Sequence, residues 1–171
     1  MASRSIEHLA QDHREVEKVL RELELLLRPQ GGALCWSVDK GQAFARILRR
    51  FTERVLPHLM KEEHLFYPAL EEFLPRDEGP LAVLRGEHEE LRAQIYCLRK
   101  AVGPLVQGGE QPALELVKEF QQAGLNAVRI FRDHVYKEEN ILFPMVARRL
   151  APEKDADLFR RMEAITGGYE S

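Results

Sequence analysis

Apolar residues recur along this chain at alternating three- and four-residue steps, the period of an amphipathic helix. In the first segment Ile6, Leu9, Val16, Leu20, Leu23 and Leu27 hold the stripe, and His13 fills the slot between Leu9 and Val16. Ser3 or Ser5 can cap its start and Pro29-Gln30-Gly31-Gly32 ends it. A second helix starts near Ser37 or Asp39 and carries Phe44, Leu48, Phe51, Val55, His58, Glu62, Leu65 and Ala69 on one stripe, closed by the run from Pro75 to Gly79. The third carries Leu81, Leu84, His88, Leu91, Ile95, Leu98, Val102 and Leu105 and stops before Gly108-Gly109. The fourth carries Val117, Phe120, Gly124, Ala127, Phe131, His134, Glu138, Ile141 and Met145. Pro152 opens a short last helix to about Thr166, and Gly167-Gly168 begins a tail.

No stretch alternates with period two, so no sheet is expected. The pattern predicts an all-α protein: an up-down-up-down four-helix bundle over about residues 5–150, with a short extra C-terminal helix and tail at 151–171, the whole chain 1–171 forming one domain. Pro57 and Pro68 fall inside the second pattern and Pro144 inside the fourth. Each removes a backbone donor, so continuous but kinked helices are expected.

Two segments repeat. His58-Leu-Met-Lys-Glu62-Glu63 returns as His134-Val-Tyr-Lys-Glu138-Glu139, and each copy reaches a proline, Pro68 or Pro144, ten residues after its histidine. An isolated histidine precedes each copy, His13 by 45 residues (13 to 58) and His88 by 46 residues (88 to 134). A histidine and a glutamate four apart on a helix point the same way. His13, His58, Glu62, His88, His134 and Glu138 therefore all occupy slots that belong to core residues. Burying a carboxylate costs several kcal/mol, and two in one core would repel.

A pair of divalent or trivalent cations removes both penalties. Imidazole nitrogen and carboxylate oxygen together suit iron, manganese or zinc. One metal would take His13 and His58, the other His88 and His134, with Glu62 and Glu138 bridging. An exogenous ligand would then find an open place.

These residues carry a resemblance. The two H-x-x-x-E-E segments, each preceded by an isolated helical histidine, are similar to the hemerythrin-like HHE cation-binding domain over about residues 5–150. The resemblance implies a four-helix bundle with a non-haem centre of two iron ions, held by the six residues above with Glu62 and Glu138 as bridges. It implies binding or sensing of a small oxidant: dioxygen, nitric oxide or peroxide. The alternatives are an enzyme that decomposes peroxide and a protein that stores or handles iron. Oxygen-carrying hemerythrins have five histidines, two of them four apart on the third helix. Here Leu84 and Arg92 flank His88 at that spacing. This opens coordination at the second metal and favours redox, peroxide or iron-handling chemistry over reversible oxygen carriage. The repair proteins of this superfamily carry a cysteine-bearing N-terminal segment. Five cysteine-free residues precede the first stripe here, which points away from that subtype.

The neighbouring residues read more plainly. Glu63 and Glu139 lie about 100° round the helix from the bridging position. They are expected beside the ligands, with direct ligation the alternative. His8 and His64 are off the stripe and read as surface residues. Asp12 and Glu87 point away from the histidines they precede and read as surface or helix-pairing acids. Tyr67 can approach the cluster, whereas Tyr136 reads as packing or surface. Phe51, Leu65, Leu91, Phe131 and Ile141 read as core packing that keeps the centre dry. Cys97 is half a turn from His88 and not a ligand. Cys35 falls in a loop beside Trp36, with no neighbour pattern to support redox sensing.

Composition excludes other classes. With net charge −3 and both signs interspersed, no basic stripe exists to bind nucleic acid. No apolar run approaches the roughly 18 residues of a membrane span, no signal stretch opens the chain, and two cysteines make no disulfide framework. A cytoplasmic protein is expected. A sensor of this size would act through an unidentified protein partner or as a homodimer, and the last helix either covers the bundle or makes that dimer.

Overall fold

A computed structural model describes residues 3–28, 36–107 and 112–165. The described residues form helices and no strand. Helix α1 spans Arg4–Leu27, α2 Val38–Lys61, α3 Tyr67–Leu70, α4 Gly79–Gln107, α5 Leu114–Lys137, α6 Phe143–Val146 and α7 Pro152–Glu163. The four long helices pack in a ring, with α1 and α4 each touching α2 and α5. None is long and apolar enough to cross a membrane.

Local chemistry sets the ends. Ser3 caps α1 by accepting from the Ile6 amide and Ser37 caps α2 by accepting from the Lys40 amide. Gly79 opens α4 at φ +65°, a conformation L side chains rarely adopt. The glycine-rich stretches expected to end α1 and α4, the tail from Thr166 and Cys35 lie outside the described residues. Helix α7 ends at Glu163, slightly earlier than the pattern predicts.

The helix stays continuous at one proline and gives way to a wider turn ahead of the other two. Helix α2 continues through Pro57. Ahead of Pro68 and Pro144, residues Glu62–Phe66 and Glu138–Leu142 instead form single π turns. In these wider turns the Tyr67 amide donates to the Glu62 carbonyl and the Phe143 amide to the Glu138 carbonyl. A proline cannot donate at its own position and crowds the carbonyl four residues back, and one wide turn accommodates both.

Leu65 and Ile141, both expected in the core, hold the same place in the two π turns, yet Leu65 is buried in the turn that α7 packs on and Ile141 is 53% exposed.

Helix α7 packs on α1 and on the first π turn. Asp155 accepts from the Ser3 and Ser5 hydroxyls and from the Arg4 and Ser5 amides, joining the start of α1 to α7. The core has two apolar clusters. One contains Val16, Phe44, Phe51, Leu91 and Phe131, the other Leu9, Phe66, Leu84, Phe143 and Leu158. His13 lies between Leu9 and Val16 and His88 between Leu84 and Leu91, so the polar layer separates the two clusters.

Candidate metal centre

The six residues singled out by pattern converge in that layer. His13, His58, Glu62, His88, His134 and Glu138 are all buried, with both glutamates at 0% exposure. His13, His58, Glu62 and Glu138 each offer one ligand atom, all within 4.8 Å of one another, and so do Glu62, His88 and His134. The π turns begin at Glu62 and Glu138, and so fix how each carboxylate leaves its helix. π turns of this kind recur at functional sites.

Glu62 joins the two groups. Its Oε1 lies 3.3 Å from His58 Nε2 and 3.8 Å from His13 Nε2, and its Oε2 lies 3.1 Å from His88 Nε2 and 3.7 Å from His134 Nε2. Glu138 also spans the halves, with Oε2 3.1 Å from His13 Nε2 and 3.4 Å from His134 Nε2.

Hydrogen bonding leaves this layer short. His13 Nε2, both nitrogens of His58, both oxygens of Glu62 and Oε2 of Glu138 are buried with no hydrogen-bond partner among the described residues. Each such atom costs about 1–3 kcal/mol. Cations between the imidazoles and carboxylates would satisfy nearly all of them, and the donor set suits iron, manganese or zinc. The residues fit the two-metal group.

The charges agree. Burial lowers the pKa of His13, but the carboxylates of Glu138, Glu139 and Glu62 outweigh burial and hold it well above the ordinary value. Burial likewise opposes charge on Glu62, yet His58, His13, His134 and His88 pull its carboxyl well below the usual range. The centre is thus a cage of mutually stabilised charges that a metal would enter by displacing protons.

Behind each histidine stands a carboxylate. His13 Nδ1 meets Glu139 at 2.9 Å, His88 Nδ1 meets Glu63 at 2.7 Å and His134 Nδ1 meets Glu87 at 3.3 Å, while His58 Nδ1 has Asp12 at 3.7 Å. Glu63 and Glu139 therefore lie beside the six, in contact with the histidines of the other half. The pKa of Glu63 is lowered to about 2, because the hydrogen bonds from His88 and Arg92 outweigh its burial.

Asp12 and Glu87 do more than the sequence suggests. Both do pair helices, Asp12 with Lys61 and Glu87 with Lys137, but both also face a histidine of the centre. They point away from the histidine beside them and toward one on the neighbouring helix. The repeated acid before each isolated histidine was the available signal.

Tyr67 approaches the cluster, as expected. Its buried hydroxyl donates to Glu138 Oε1 at 2.8 Å and lies 3.4 Å from His88 Nε2. Burial and the nearby Glu138 and Glu62 raise its pKa well above the ordinary value, so it stays a phenol. Its ring stacks on His88 at 5.6 Å, and Phe143, at the same place in the second copy, stacks on His13 at 5.8 Å.

The remaining residues stay outside. Tyr136, His64 and Cys97 are exposed. His8 is half-buried, 3.0 Å from Lys61 Nζ and edge-on to Phe159.

The Hemerythrin HHE cation binding domain matches residues 4–146. Curated relatives include the iron-sulfur cluster repair protein YtfE of Escherichia coli O139:H28 and that of Shigella boydii serotype 18. Each is 27% identical over 118 residues, covering 68% of this chain and 50% of the relative. The chain thus spans about half the length of these relatives, whose name is that of the repair subtype from which the sequence reading points away.

Proposed function

We propose, for a chain that belongs to the hemerythrin HHE cation-binding family, a non-haem two-iron centre that binds or senses a small oxidant such as dioxygen, nitric oxide or peroxide. His13 and His58 would hold one iron and His88 and His134 the other, with Glu62 and Glu138 shared. The observation that carries this reading is the set of buried, partnerless nitrogens and oxygens that point at one another between two apolar clusters.

We place the centre in an up-down-up-down bundle over about residues 5–150, one domain closed by α7, in the cytoplasm. Iron in the centre would supply exchangeable electrons and a coordination place for the oxidant. The protein's own groups do the rest. Glu139, Glu63 and Glu87 accept from Nδ1 of His13, His88 and His134, which leaves Nε2 free to face inward. Tyr67 steadies Glu138 through its hydroxyl. Phe131, Phe143, Leu91 and Val55 keep the layer dry, so only small molecules reach it.

A second reading is favoured by the relatives' name: the chain supplies or withdraws iron during iron-sulfur cluster repair. Metal analysis with an absorption spectrum, on protein made without added metal, tests the common premise. Two irons per chain with charge-transfer absorption support the centre, and zinc or no metal, with no iron uptake on reconstitution, overturns it. Titration with nitric oxide and peroxide then separates the readings. A stoichiometric spectral change favours the oxidant binder, whereas rapid iron loss to a weak chelator with no such change favours iron handling.

A further inference from the structure

The duplicated sequence offers two equivalent approaches to the metal layer, and they differ. At His88 the approach is shut. Glu63 holds His88 Nδ1, and Arg92 forks onto Glu63 with both guanidinium nitrogens at 2.7 Å, leaving the Glu63 side chain 18% exposed. The groove on that face is lined by Leu56, Arg92, Ile95 and Tyr96, and His88 is not in its wall.

At His13 the corresponding positions hold different residues. Glu17 stands where the other half has Arg92, and Arg132 where it has Leu56. Arg132 is turned onto Glu17 and Glu24 at 3.0–3.2 Å. Glu139 therefore holds His13 without an arginine fork, and its side chain is 40% exposed. A cavity of about 330 Å3 opens here between α1 and α5, with His13 and Phe131 at its base and Tyr136, Glu139 and Asn140 around it.

We infer that small molecules enter the centre at this His13 face, through the cavity between α1 and α5, and not at the His88 face. The entrant is a diatomic or triatomic molecule, because His13 is only 2% exposed at the base. The Glu139 carboxylate stands across the way, and its swing toward solvent widens the passage. The inference rests on the two-metal reading.

The test measures how fast azide associates with the iron-loaded chain, followed by its absorption change. Asn140→Trp places bulk at the open mouth. His64→Trp places the same bulk at the equivalent exposed position on the closed face. The double substitution E17R/R132L copies the residues of the closed face onto the open one. Asn140→Trp and E17R/R132L should each slow association on the order of tenfold, at unchanged iron content and final spectrum, while His64→Trp keeps the parent rate. Equal slowing by His64→Trp, or no slowing by the other two, overturns the entry route and leaves the two-iron reading standing. A parent chain that takes up no iron overturns both.

Discussion

His13 Nδ1 lies 2.9 Å from a carboxylate oxygen of Glu139, a residue 126 positions further along the chain. The equivalent pair in the other half, His88 and Glu63, meets at 2.7 Å. Each copy of the H-x-x-x-E-E segment thus supplies its second glutamate to the isolated histidine of the other half. Asp12 and Glu87 complete the set within their own halves, facing His58 and His134. The duplication is interlocked at the level of the outer carboxylates.

The crossed carboxylates should therefore matter for metal affinity although they lie outside the six candidate ligands. Glu139→Gln and Glu63→Gln keep the shape and replace the acceptor by an amide. Each should weaken metal binding by about 10–100-fold, measured by competition with a chelator of known affinity, while the helix content stays that of the parent. Unchanged affinity in both variants would show that histidine orientation is set by packing alone.

Removal of a shared carboxylate should be more severe. Glu62→Ala or Glu138→Ala should abolish two-metal loading, and His8→Ala and His64→Ala should retain it, with metal per chain as the readout. Glu62 reaches both groups of histidines, so its loss should leave neither metal position intact. The reverse pattern would sink the assignment of the six residues.

The six residues were legible because a helix repeats faithfully enough that polar residues on an apolar stripe must meet in the core. That argument gives the phase of a helix but not what covers it. Ile141 and Leu65 each fall seven residues after a histidine and within a π turn, yet Leu65 is buried, in the turn that α7 packs on, while Ile141 is exposed. A proline ten residues after each histidine hinted at a local change but did not specify a wide turn over a kink. Asp12 and Glu87 pair helices as expected, but their contacts with His58 and His134 were missed, because direction was read from their own helix while those histidines sit on the next. The Tyr67 contact with Glu138 depends on which helices are neighbours, a fact the stripe does not contain.

The Asp155 staple should give the protein a distinct acid limit. Burial opposes its charge, but four donors from Ser3, Arg4 and Ser5 outweigh this and hold its pKa below the ordinary 3.8. A depressed folded pKa means the contribution to stability is present above the ordinary value and is lost as pH falls through the folded one. Asp155→Asn should lower stability by about 1–3 kcal/mol near neutral pH. The gap from the parent should close as the pH drops below about 4. Denaturant unfolding of the metal-free chain across that range checks both, and a gap that stays constant with pH would assign the effect to packing of α7 instead of to the carboxylate.

Tyr67→Phe isolates an asymmetry that the duplication leaves inside the metal layer. Phe143 already occupies the matching position against His13, so a phenylalanine ring fits this architecture and the fold should survive. What disappears is the hydroxyl that donates to Glu138 Oε1 at 2.8 Å. In the parent, that bond occupies one oxygen of Glu138, while both oxygens of Glu62 lack a hydrogen-bond partner among the described residues. The two shared carboxylates are therefore inequivalent. The variant should load the same amount of iron, because all six candidate ligands remain. Its absorption spectrum and azide affinity should shift, because Glu138 Oε1 loses its donor while Oε2 stays against His13 and His134. Loss of stability in the metal-free state should be about 1.5–3 kcal/mol, the range for a bond to a charged acceptor. Iron content, spectrum and azide affinity all identical to the parent would mean that the Tyr67 hydroxyl fills space and does not hold Glu138.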